Sequence, residues 1–121
     1  MWIFTTSGFV SAVYKDGAIQ VRARDSKSLE VLAKECEAKI VATPVADYPY
    51  RIAISREQFA SWVSKQALGI EYKNFKSEVA DTRGHKFSKP LSQVWSVMHD
   101  VEDAKARVRN DSYGNKTEVN K

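Results

Sequence analysis

Two short stretches of this chain gather the side chains that a planar, anionic ligand needs: Asp47-Tyr48-Pro49-Tyr50-Arg51 and Glu71-Tyr72-Lys73-Asn74-Phe75-Lys76. Aromatic rings offer faces for stacking, and cations pair with phosphate. Tyr48 and Tyr50 are two positions apart, so in an extended segment they point the same way. Tyr72 and Phe75 have the spacing of one helix face, and Lys73 and Lys76 share an adjacent flank. Arg22 and Arg24 point to one side of a strand, and Arg51 to the polar side of another. If those strands are neighbours, one sheet face carries an arginine row suited to bidentate contacts with an anion. The competing reading is structural: rings docked on a core, arginines packed beside carboxylates, lysines simply solvated. The candidate ligand-binding set is Arg22, Arg24, Tyr48, Arg51, Tyr72, Lys73 and Lys76. From Lys73 to Lys89, five cations stand against Glu78 and Asp81. This is the most basic folded stretch, and Arg83, His85, Lys86 and Lys89 extend the candidate binding edge.

Other chemistries find less support. Cys36, His85 and His99 have no paired spacing, and a structural zinc site needs about four ligands. No metal or cofactor is expected. Cys36 falls on an apolar helix stripe, where burial raises a thiol pKa and makes it inert. There is no G-x-S-x-G elbow and no glycine-rich phosphate loop. Glu57, Glu71, Glu78 and Asp81 read as solvated carboxylates. The expectation is a protein that is not an enzyme.

The elements that must position these residues follow from periodicity. Residues 2–6 and 9–14 are rich in aromatic and β-branched residues, with Gly8 as a bend. Asp16-Gly17 is a two-residue hairpin signal. Ile19, Val21 and Ala23 then alternate with Gln20, Arg22 and Arg24, giving one buried face and one basic face. Asp25-Ser26 opens a helix over 26–38, with Leu29, Leu32, Ala33 and Cys36 on one side. A strand over 39–43 ends at Pro44, and a strand over 50–55 follows. Ser55 to Gln58 is a capping box for a helix over 56–68. Its stripe is Phe59, Trp62, Val63 and Ala67, and Gly69 suits its C′ position. The second cluster begins a third helix, which Gly84 ends. Residues 83–89 read as a basic loop. Pro90 suits the first turn of a last helix, which should bury Trp95 and Met98. The order predicts an α+β fold with an antiparallel sheet of four to five strands packed against helices. It matches most of a ferredoxin-like βαββα unit, with the N-terminal strands replacing the missing last strand. One domain is expected over 1–109, followed by a flexible polar tail over 110–121.

The chain has 121 residues, 43% of them hydrophobic, which is ample for one core. Its formal net charge is +4, a balance that permits a local basic patch without demanding nucleic acid. One cysteine excludes an intrachain disulfide framework. The N-terminal residues lack a basic leader region, and no stretch reaches membrane-spanning length, so a cytoplasmic protein is expected.

The chain also resembles a group of small bacterial and phage proteins. The likeness lies in Trp2 to Thr5, Gly8-Phe9, Arg22 to Arg24, Asp47 to Arg51, Tyr72 to Lys76 and Val94 to Met98, and covers residues 1 to about 102. It implies a shared fold and a shared surface, but no activity. The functional expectation is therefore a binding module for an anionic partner, single-stranded nucleic acid or a nucleotide. The alternative is a protein-interaction module, such as a phage-type accessory protein that inhibits a host factor. A homodimer through the open sheet edge is compatible with either.

Overall fold

The computed structural model of this chain describes residues 1–103, so the tail expected at 110–121 lies outside the described residues. Compactness divides the chain into one unit over Met1–Ser88 and a second that begins at Lys89. The first unit holds the sheet. Strands β1 (Trp2–Thr5), β2 (Gly8–Lys15) and β3 (Ala18–Ala23) form an antiparallel meander. Asp16 and Gly17 take φ 54° and 80° at the second turn, the left-handed backbone that an Asp-Gly hairpin turn requires.

Helix α1 (Glu30–Cys36) leads to the two-residue strand β4 (Val41–Ala42) and then to β5 (Tyr50–Ile54). The strand order is β1-β2-β3-β5-β4, antiparallel throughout. The α+β expectation holds, at the upper end of the expected strand count. β2 takes the place beside β3 that the last strand of a ferredoxin-like unit would occupy. β4 is shorter than the strand expected at 39–43. The chain turns away there, and Thr43 N donates instead to the Pro49 carbonyl at 2.7 Å across the loop.

Alternation along the strands sorts the two sheet faces. Val10, Ala12, Val21, Ala23, Ile52 and Ile54 are buried in one cluster with Leu29, Leu32 and Ala33 beside them. Helix α2 (Arg56–Leu68) adds Phe59 and Trp62 to the same cluster. Each fully buried side chain of this size contributes about 1.5–3 kcal/mol of hydrophobic free energy. The predicted capping box starts α2: Gln58 N donates to Ser55 Oγ at 3.0 Å, and Ser55 N donates to Gln58 Oε1 at 2.9 Å. Gly69 follows its end as expected, at φ −88°, an ordinary backbone angle.

Three helix expectations need correction. The helix expected at 26–38 is a 3₁₀ turn over Ser26–Leu29 followed by α1. Asp25 stands at its N-cap position, so the start at Ser26 is as expected, but its side chain makes no cap hydrogen bond; Ser28 Oγ and Arg83 hold the carboxylate. Next, α3 (Phe75–Arg83) begins only at Phe75. Asn74 Oδ1 accepts from Ser77 N at 2.9 Å, which leaves Tyr72 and Lys73 ahead of the helix. Gly84, at φ 91°, ends α3 as expected. Finally, the basic loop over 83–89 does not form. α4 (His85–Val97) runs through it and holds Pro90 in its interior. One glycine suffices for the turn: Ser88 N donates back to the Gly84 carbonyl at 3.1 Å and closes the first turn. A 3₁₀ turn over Met98–Val101 continues α4. Trp95 and Met98, expected in the core, are 58% and 52% exposed. Periodicity showed which side of the helix is apolar, not what lies against it.

Candidate anion-binding face

Side chains opposite each other in a sheet share a face. Trp2 pairs with Ser11, Ser11 with Arg22, and Arg22 with Arg51, while Phe4 pairs with Phe9. These residues therefore lie on the face turned away from α1 and α2. β3 and β5 are neighbours, as the arginine row requires, and Arg22 and Arg51 stand directly opposite each other.

The electrostatics of this pair are unfavourable for the isolated protein. Both guanidinium groups are half-buried, and neither forms an ion pair among the described residues. Like charges opposite each other in a sheet destabilise it. Arg22 Nη2 donates to Ser11 Oγ at 2.8 Å, and Arg51 Nη2 donates to the Tyr48 carbonyl at 3.1 Å. The Nε–H of each is buried without an acceptor, a desolvation cost of about 1–3 kcal/mol per group. Neutral hydrogen bonds hold both cations in place but leave their charge uncompensated.

Tyr48 organises the cluster. It is 9% exposed, and the guanidinium carbons of Arg22 and Arg24 each lie 4.7 Å from its ring centroid. Its expected part as a stacking platform passes to that of a spacer that holds two cations. Arg24 also donates to the Asp47 carbonyl and pairs with Asp47 Oδ1 at 3.2 Å. That ion pair is exposed, so it contributes little.

An aromatic row leads away from this cluster. Tyr48 lies 6.5 Å from Phe9, Phe9 stacks on Phe4 at 4.6 Å, and Trp2 meets the edge of Phe9 at 5.8 Å. Trp2 is 69% exposed and presents the open end of the row. Trp2, Phe4 and Phe9 were absent from the sequence-derived site. The signal was available: in β1, Trp2 and Phe4 alternate with Ile3 and Thr5.

Tyr72 of the second cluster lies beside β1 and the end of α2, not against Arg22, Arg51 or Tyr48. Tyr72 is half-buried, 5.9 Å from the Phe75 ring, and lines a groove of about 360 Å³ with Phe4 and the end of α2. Phe4 therefore belongs both to the aromatic row and to the groove that Tyr72 lines. Lys73 is exposed ahead of α3, and Lys76 is half-buried in its first turn.

Arg83, read as part of the basic edge, is a structural cation. Its side chain is 8% exposed. Its Nη1 donates to the Ser7 carbonyl at 2.6 Å and its Nη2 to Asp25 Oδ2, while its guanidinium covers the Phe87 ring at 4.0 Å. Ser28 Oγ donates to Asp25 Oδ1 and accepts from Phe9 N at 3.2 Å. Burial raises the Asp25 pKa, but the Ser28 hydroxyl and the Arg83 hydrogen bond and charge outweigh it and hold the carboxyl below its ordinary 3.8. The cluster is tight: a Cβ on Gly8 would overlap Ser28 Oγ and sit 2.8 Å from Arg83 Nη1.

Chemistry of other kinds has a thinner footing. Cys36 is half-buried, and desolvation together with the Glu35 charge pushes its thiol pKa up despite Lys65. No group of three or more metal-ligating side chains occurs among the described residues. A groove of about 570 Å³ beside α2 is lined chiefly by apolar residues such as Ala12, Ile19, Phe59 and Val63. Its lining holds no Asp, Glu, His, Cys or Lys. Among the described residues, no helix is long and apolar enough to cross a membrane.

Compared with known proteins, the chain matches no family model, no curated protein and no solved structure.

Proposed function

We propose that this protein is a non-enzymatic binding module for an anionic partner, single-stranded nucleic acid or a nucleotide. The observation that carries this reading is the uncompensated Arg22–Arg51 pair beside an aromatic row. A phosphate between or above the two guanidinium groups supplies the missing negative charge. Arg24, steered by Tyr48 and Asp47, adds an outer contact. Trp2 offers the exposed ring on which a base stacks, and Tyr72 and Lys73 extend the track past Phe4.

Fluorescence anisotropy with a labelled oligonucleotide of about 12 nucleotides tests the reading. Binding is expected to fall about tenfold or more for Arg51→Ala, and to change little for Lys34→Ala on the exposed side of α1. Heparin, which has charge but no bases, is expected to compete poorly, because Trp2 then has nothing to stack on. Equal effects of Arg51→Ala and Lys34→Ala would sink the site. The second reading, a protein-interaction module, is favoured by the exposed apolar residues of α4. Binding to a protein that ignores salt, with none to oligonucleotide or nucleotide, would put that reading first.

A further inference from the structure

The groove beside α2 lies on the sheet face opposite the arginine pair. Ala12 and Ile19 reach it from the sheet, and Phe59 and Val63 from α2. Ile19 and Val63 pack against the core yet are only partly buried, so the core stays open at this place. The volume of about 570 Å³ falls within the range of about 300–1,000 Å³ usual for small-molecule sites. Nearly apolar walls suit an alkyl chain better than a peptide, whose backbone N–H and C=O groups need partners.

Charge along this groove is one-sided. Arg56 is the only charged side chain in the lining. It is exposed and forms no ion pair among the described residues. Its guanidinium carbon lies 4.4 Å from the centroid of the Tyr14 ring, which also lines the groove. Stacking orients the guanidinium while leaving its in-plane N–H groups free for a carboxylate. A cation with no counter-charge at one end of an apolar channel is complementary to an amphiphile with an acidic head. From Arg56 to Val63 the helix advances about 10 Å. A saturated chain with C–C bonds of about 1.5 Å, set in a zigzag, covers that length with about eight to ten carbons. We infer that this groove binds a medium-chain fatty acid, its carboxylate on Arg56 and its alkyl chain against Ile19, Phe59 and Val63. The site is separate from the anion-binding face and does not depend on it.

Titration calorimetry of the full-length protein with decanoate, octanoate and decanol, each below its micelle concentration, tests this. Decanoate is expected to bind about 15-fold more tightly than octanoate, which lacks two methylene groups. Decanol, with the same chain and no charge, should bind about tenfold or more weakly than decanoate. Arg56→Gln should bring decanoate down to the level of decanol and leave decanol unchanged; the Ser55–Gln58 capping box does not use the Arg56 side chain. Ala60→Trp, at an exposed helix position that lines the groove, should abolish binding of both with an unchanged circular dichroism spectrum. Absence of decanoate binding overturns the inference. So does decanol binding as tightly as decanoate, which would make the groove a general apolar cavity, or decanoate binding indifferent to Arg56→Gln or to Ala60→Trp, which would place it elsewhere.

Discussion

At the residue scale, the most consequential feature is two arginines opposite each other on β3 and β5, neither in an ion pair among the described residues. Removing Arg22 relieves like-charge repulsion and a buried, unsatisfied N–H, which offsets the loss of its hydrogen bond to the buried Ser11 hydroxyl. Arg22→Met is therefore expected to leave the unfolding midpoint unchanged or raise it, while oligonucleotide binding falls about tenfold or more. Denaturant melts paired with anisotropy check this. A clear loss of stability would assign Arg22 to the scaffold instead. Arg83 shows the opposite arrangement, a buried cation with its counter-charge in place. Because the Asp25 pKa is depressed on folding, its contribution is fully present above the unfolded value of about 3.9 and is lost as pH falls through the lower folded value. Asp25→Asn strands the Arg83 charge and should cost about 2 kcal/mol or more at neutral pH. The wild type's advantage over Asp25→Asn should shrink below about pH 4, as acid urea melts would reveal.

At the scale of the element, local signals succeeded where a short-range hydrogen bond decides the outcome. The Ser55–Gln58 capping box, the Asp16-Gly17 turn and Gly84 as the end of α3 were all legible for that reason. They failed where a distant group competed for a local one. Asp25 marks the start of the turn at Ser26, but its carboxylate does not bond the turn's backbone, because Arg83, 58 residues away in sequence, takes it. Pro90 looked like a helix start, but Gly84 turns the chain within a single residue and α4 begins earlier. A proline at that depth removes the hydrogen bond to the Lys86 carbonyl and is unfavourable by up to about 3 kcal/mol. Pro90→Ala is therefore expected to deepen the 222 nm ellipticity and raise stability by about 1 kcal/mol or more. No change would mean that the neighbouring packing already offsets the lost bond.

At the scale of the whole molecule, a net charge of +4 is too small to attract nucleic acid without a concentrated site. If Arg22, Arg24 and Arg51 neutralise three phosphates of a single strand, log K should fall against log salt with a slope of about −2. A fourfold rise in salt then weakens binding roughly 15-fold. A slope near zero would point away from nucleic acid. The sequence by itself determined the α+β class, the alternating sheet faces and which residues are cationic or aromatic. Period-two and period-3.6 patterns, caps and turn residues act over a few positions, so they are readable without the fold. Strand neighbours and long-range charge partners are not local. Only the tertiary structure set Arg22 against Arg51, placed Tyr48 beneath two guanidinium groups and joined Phe9 to the row that ends at Trp2. The same limit explains Trp95 and Met98. Amphipathicity fixes the apolar side of a helix, but whether that side meets a core or solvent depends on where the rest of the chain goes.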